Sequence, residues 1–360
     1  MYSLNTKYID RLDHLRFFAA VLLIFHHFRG NISWNGHLQL SQIIPLWLEN
    51  GSTGVSFFLV LTGFLFCQIS NGGEKNIKYW GFIYNRILRI FPLMIFLVFI
   101  IICCSRQTST PLDILRIITL QLNTGQAYTG WGHDFYPSGP IWTIAVEFQF
   151  YLIFPFLSLF LYRYGIKYLI GLIVLMILTR FNMVILNGGD IYYNAYHTII
   201  GRLDQFIIGI IFGYYYKKGY FSFLKSWMYQ ISCLSFTFLV FLYLFRFKQP
   251  NVFYTSLSFP IEAILWGIVT LCYLYIRLPS FKKVSFCLSY LGMCSFSMYL
   301  LHLPIGLMLN QLIGWESPVT LSTSLFQSMI RTIVIIMVSI FTFNIIEKPF
   351  MKLRVKYIKE

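Results

Sequence analysis

Residues 12–28 read LDHLRFFAAVLLIFHHF, with an arginine near one end of an apolar run and two histidines at the other. Arg16 and His27 are eleven residues apart. At about 100° per residue, eleven steps make three turns plus a small remainder, so both side chains leave one helix face, roughly 16 Å apart along the axis. Ionisable groups at membrane depth are costly and mark a pathway or a site. Lys7 and Arg11 before the apolar run imitate a signal peptide. The run closes on His26-His27-Phe28-Arg29 rather than on small residues, so it reads as a retained span.

The rest of the chain has the same character. Of 360 residues, 57% are hydrophobic, 19% aromatic and only 11% charged, with a mean hydropathy of +0.66. A water-exposed domain carries about 25% charged residues, so the bilayer is the natural solvent here. The net charge of +15 does not point to nucleic acid, because the basic residues are spread over short loops between apolar runs. The seven cysteines form no Cys-x-x-Cys pair and read as helix-packing residues; no metal site or disulfide framework is expected.

About ten runs approach the ~20 apolar residues needed to cross a membrane. They cover roughly 14–34, 52–70, 86–104, 140–161, 166–186, 197–216, 226–246, 252–276, 287–311 and 323–346. The expected fold is an all-α integral membrane protein, a single domain over 1–360 with no separate soluble domain. Pro155 and Pro304 should kink or unwind their helices. Residues 111–122 suit an interfacial helix, and the Gly-, Tyr- and Trp-rich loop 123–139 suits a cover over a site opening. Lys and Arg gather in alternate loops, about twenty against about six, which places both termini in the cytoplasm.

That arrangement puts Arg16 at the cytoplasmic end of the first span and His27 deeper. Arg86 and Arg89 share a face at the cytoplasmic start of the third span. Glu147 lies in the outer half of the fourth span and His302 deep in the ninth. Glu347 ends the tenth. An arginine pair at a helix end suits a phosphate through forked hydrogen bonds, and it equally suits a topology anchor. Glu147 needs a partner or a proton at that depth. His26 points about 100° away from His27 and reads as structural; His14 and His133 read as surface groups. An enzyme and a transporter both fit these groups.

Six segments together narrow the choice. They are Leu12–Arg16 followed by His27; Gly54–Phe64, GVSFFLVLTGF; Arg86–Pro92, RILRIFP; Ile141–Leu152, IWTIAVEFQFYL; Ser297–His302, SMYLLH; and Glu347-Lys348-Pro349. In this order the chain resembles, nearly end to end, the acyltransferase-3 family of integral membrane O-acyltransferases. It departs from that pattern at Phe17, where glycine is usual, and at Ala145 and Phe148, where serine and glutamate are usual.

The resemblance implies transfer of an acyl group, commonly acetyl, from cytoplasmic acyl-CoA to a hydroxyl of a cell-surface polysaccharide or lipid-linked sugar. Arg16 and His27 would be the essential pair, and Arg86 and Arg89 the arginines associated with the donor. Acetyl-CoA, or another acyl-CoA, is then the expected donor and no metal is expected. The expected partners are the lipid bilayer, the glycan acceptor and glycan-assembly proteins, and the expected location is a bacterial cell membrane. Elementary chemistry agrees with this layout. Anionic phosphates stay at the basic rim while the long pantetheine arm carries the thioester inward. A neutral imidazole at His27 accepts the acceptor's proton; Glu147 orients that ring or balances its charge, and His302 is a second candidate for orienting or polarising the carbonyl.

Overall fold

The computed structural model describes residues 5, 8–37, 39–104, 107, 110–121, 141–187, 191–248, 251–277 and 281–359. The expected loop cover at 123–139 and His133 lie outside these residues. The helices are α1 (Asp10–His27), α2 (Ile43–Glu49), α3 (Thr53–Ile69), α4 (Tyr79–Cys104), α5 (Pro111–Ile118), α6 (Trp142–Tyr164), α7 (Ile166–Asn187), α8 (Ile191–Tyr196), α9 (Ile199–Lys217), α10 (Trp227–Arg246), α11 (Val252–Tyr275), α12 (Lys282–Met293), α13 (Ser295–Ile313), α14 (Leu321–Thr342) and α15 (Lys348–Met351). The strands among the described residues are one short antiparallel pair, β1 (Asn76–Ile77) with β2 (Ile358–Lys359). The chain is an all-α membrane protein.

By length and composition, seven of the described helices can cross a membrane, or eight if α2 and α3, bent by 66°, form one broken span. Each of the ten expected spans nevertheless meets a long helix. The two that fall short are α1 and α9, and the cause is shared. Both carry polar groups turned inward, Asp13 and His14 on α1 and Arg202, Asp204 and Gln205 on α9, all buried. His14 is therefore no surface group: its Nδ1 meets the Tyr273 hydroxyl at 2.9 Å and its Nε2 the Ser289 hydroxyl at 3.0 Å. Burying a polar ring is tolerated when both nitrogens are satisfied in this way.

Helix α3 runs through the middle, with nearly every side chain from Thr53 to Ile69 buried. A helix apolar on all sides belongs in such a place. It meets α9 backbone to backbone. A Cβ on Gly63 would stand 2.0 Å from the Phe206 carbonyl oxygen, and one on Gly209 would stand 2.2 Å from that of Val60. Small residues allow this approach, which substitutes van der Waals contact for a hydrophobic drive that lipid does not supply. Peripheral helices show the opposite face: Leu175, Leu178 and Leu186 of α7, and Phe236, Leu239 and Tyr243 of α10, point outward. In water such a surface would aggregate; toward lipid it is in its own solvent.

Two irregularities shape the end of the bundle that carries Arg16, Arg86 and Arg89. The expected span 287–311 is broken at Cys294 into α12 and α13. The Met293 carbonyl at the end of α12 instead accepts a bond from Arg89 Nη2 at 2.9 Å, one way to satisfy a terminal helix carbonyl. After α14, residues Phe343–Glu347 form a π turn before α15, and Glu347 is fully buried. Such single π turns accompany functional sites. Pro155 and Pro304 do not unwind α6 and α13, which run on through them. Membrane helices tolerate proline because neighbouring groups satisfy the freed carbonyls. Residues 111–118 are helical, as the spacing suggests.

Candidate active site

A cavity of about 480 Å³ opens among α1, α3, α4, α6, α13 and the segment after α15. Six cations line it: Arg16, Arg86, Arg89, Lys348, Lys352 and Arg354. Among the described residues only two carboxylates do so, Asp13 and Glu147. Asp13 is shared: it accepts from the Tyr8 hydroxyl at 2.6 Å and pairs with Arg16 at 3.3 Å. The wall is thus built for a multiply charged anion, which cannot enter hydrocarbon without such company.

The two arginines of α4 are held differently. Arg89 donates to Glu347 Oε2 at 2.7 Å and to the Met293 carbonyl, while the Ser297 hydroxyl donates to the other oxygen of Glu347. Arg89 is thus largely committed to the protein. Arg86 lies over the rings of Phe66, Phe82 and Tyr151 at 5.3, 5.3 and 5.7 Å. Its Nε is buried and has no hydrogen-bond partner among the described residues. Stacking fixes the guanidinium plane and leaves donors for a ligand.

Further along, Glu147 reaches the cavity from α6. The Thr62 hydroxyl donates to its Oε1 at 3.2 Å, and so does the Tyr151 hydroxyl. Tyr151 lies four residues on, one turn below on the same face. The carboxylate is thus anchored by hydroxyls rather than by an imidazole. Beside it, the Thr143 hydroxyl donates to the Tyr299 hydroxyl at 2.6 Å, and both residues line the cavity.

Tyr299 leads to the histidines. Its carbonyl takes the Nδ1 proton of His302 at 2.6 Å, which leaves Nε2 of that ring as the acceptor. That Nε2 is buried and without a hydrogen-bond partner among the described residues. The Tyr299 and His302 rings are 5.8 Å apart between centroids, and the His302 and His27 rings 5.1 Å. His27 itself is exposed at the end of α1. His26 meets the Leu48 carbonyl at 2.9 Å through Nδ1, a structural bond to α2.

The continuous α1 carries Arg16 to the cavity wall and His27 to the far side of Tyr299 and His302. Arg86, Arg89 and Glu147 join Arg16 around the cavity, whereas His27 and His302 form a pair beyond its lining. Sequence reasoning missed Tyr151, Tyr299 and Arg354. The first two stand inside quoted motifs, at helical spacing from Glu147 and His302, and that spacing was the signal available. Arg354 lay among tail lysines that looked like plain anchors.

The family described as "Acyltransferase domain" matches residues 9–346. A putative peptidoglycan O-acetyltransferase, YrhL of Bacillus subtilis (strain 168), is 27% identical over 216 residues, covering 52% of this chain and 31% of that protein. The O-acetyltransferase OatA of Staphylococcus aureus (strain NCTC 8325 / PS 47) is 23% identical over 339 residues, covering 86% of this chain and 52% of its own length. The chain thus spans from 31% to 52% of the length of these curated relatives. No solved structure matches it.

Proposed function

The chain belongs to this acyltransferase family, and from that premise we propose that it is a multi-pass O-acetyltransferase of a bacterial cell membrane. It moves acetyl from acetyl-CoA, or another acyl from its CoA thioester, to a hydroxyl of a cell-surface glycan. The names of the relatives favour peptidoglycan over capsule or lipid-linked sugar. One observation carries the reading: a cavity walled by six cations is bounded by Tyr299, which leads through His302 to His27.

In this reading the phosphates of the donor rest among Arg86, Arg354 and the tail lysines. The pantetheine arm follows the cavity toward Glu147 and Tyr299. His27 takes the proton of the acceptor hydroxyl as its oxygen attacks the thioester carbonyl. The C–S bond breaks, CoA leaves as the thiolate, and the proton that His27 accepted is given up to the thiolate, which returns the imidazole to its neutral form. The unpartnered Nε2 of His302, close to the His27 ring, is a hydrogen-bond acceptor for the incoming hydroxyl. Glu147 balances positive charge in the cavity's interior.

The test supplies labelled acetyl-CoA to membranes containing the protein, and follows the label into glycan by mass analysis. Label in O-acetyl groups, released by mild base, is the expected result. Hydrolysis of acetyl-CoA with no acyl acceptor, or transport of a glycan without acylation, overturns the proposal.

A further inference from the structure

The match to the family ends at residue 346, yet the cavity does not. Residues 348–357 supply Lys348, Lys352, Arg354 and Tyr357 to its lining. The fold fixes this tail with unusual care. Asn85, the residue before Arg86, is buried and clasps Val355, the residue after Arg354. Its Nδ2 donates to the Val355 carbonyl at 2.8 Å, and its Oδ1 accepts from the Val355 N–H at 2.9 Å. One side chain thereby imitates a strand partner, and the two arginines are set side by side. Tyr357 is buried against Phe82, with ring centroids 5.4 Å apart. Its carbonyl accepts from the Lys78 N–H at 2.8 Å, and β2 then pairs with β1.

An anchor for the chain end needs the clasp and the strand pair. It does not need a guanidinium turned toward two others. Arg354 has a buried Nε with no hydrogen-bond partner among the described residues, as does Arg86. Burial and the charges of Arg86 and Arg89 push Arg354 down from its ordinary value to about 9. Like charges held together in this way, with unspent donors, ask for an anion.

We propose that the C-terminal tail is a wall of the donor site, and that Arg354, held beside Arg86 by the Asn85 clasp, binds a phosphate of the CoA nucleotide. This rests on the donor reading of the cavity given above. Arg354 then distinguishes a CoA thioester from an acyl carrier lacking those phosphates.

The experiment uses the full chain in detergent and reads thermal stabilisation by free CoA, together with KM for acetyl-CoA and for S-acetylpantetheine. The wild type is stabilised by CoA. Arg354→Gln keeps its unliganded melting temperature, loses most of the CoA-induced shift and raises KM for acetyl-CoA at least about tenfold, roughly one bond to a charged group. Its KM for S-acetylpantetheine stays that of the wild type, and Arg354→Lys recovers part of the loss. A CoA response in Arg354→Gln equal to that of the wild type overturns the inference and leaves the donor site standing. No CoA response in the wild type overturns both. Hydrogen exchange of residues 352–357 in the wild type needs no variant: CoA slows it if the tail is a wall, and unchanged exchange contradicts the proposal.

Discussion

The imidazole rings of His27 and His302 stand 5.1 Å apart between centroids, although 275 residues separate them in the chain. What brings α1 to α13 at this point is a groove. Gly306 lies one turn beyond His302, and a Cβ there would stand 2.0 Å from Cζ of Phe28, the residue after His27. Arg331 covers the same ring, with its guanidinium carbon 4.9 Å from the centroid, and the Ser328 hydroxyl donates to the Phe28 carbonyl at 3.3 Å.

Gly306→Ala therefore pushes Phe28 out of its groove and shifts His27 with it. Displacements near 1 Å cost on the order of 10²-fold in rate, so acetyl transfer falls by about that factor while the protein remains in the membrane. Adding Phe28→Ala makes room again and restores part of the rate. Initial rates at matched expression decide this; wild-type rates in Gly306→Ala remove the groove from the account.

Arg89 and Glu347 form an ion pair with the carboxylate fully buried. Removing one partner of such a pair strands the other charge and costs about 3–5 kcal/mol. Glu347→Ala is expected to lower the melting temperature more than Arg89→Met with Glu347→Leu together. Equal melting temperatures for the wild type and Glu347→Ala would show that the pair carries no stability.

Glu147→Gln keeps an acceptor for the Thr62 and Tyr151 hydroxyls and removes only the charge. The protein should fold normally and lose most of its acetyl transfer, because the carboxylate lines the cavity. Tyr151→Phe, which removes a donor to that carboxylate, should cost less. Full activity in Glu147→Gln would reassign the residue to helix packing.

Arg354 supplies a pH signature. Its charged form is disfavoured by burial and by its arginine neighbours, which push its pKa without ligand down from the ordinary value to about 9. An anion binds the protonated form, so donor affinity is complete at neutral pH and declines as pH rises through about 9. Binding in that range takes up a proton, which calorimetry in two buffers of different ionisation enthalpy detects. A decline of the same size in Arg354→Gln would place it elsewhere. The sign for stability is the reverse: the unfolded chain holds this proton more tightly, so stability gains from this group as pH rises from about 9 toward the unfolded value.

The helices were legible because lipid demands long apolar runs, and every expected span meets a helix, although α1 and α9 carry inward polar groups. The stretch 12–28 announced α1 together with Arg16 and His27. What periodicity could not reveal was where α1 sits. A buried group such as His14 is costly unless tertiary partners satisfy it, and those partners come from α11 and α12, more than 250 residues away. The break at Cys294 was equally hidden, since an apolar run reads as continuous whether or not a distant arginine takes a carbonyl. Arg354 escaped notice for a related reason. In sequence a tail arginine is an anchor, and only the clasp by Asn85 turns it toward the cavity.

The account stands most directly on His27. At matched membrane expression, labelled acetyl transfer from acetyl-CoA is measured for the wild type and for His27→Ala. General-base catalysis is typically worth 10²–10⁴-fold, about 3–5 kcal/mol. The account predicts a loss of that order in His27→Ala with CoA-induced stabilisation retained. Transfer at the wild-type rate in His27→Ala would contradict it.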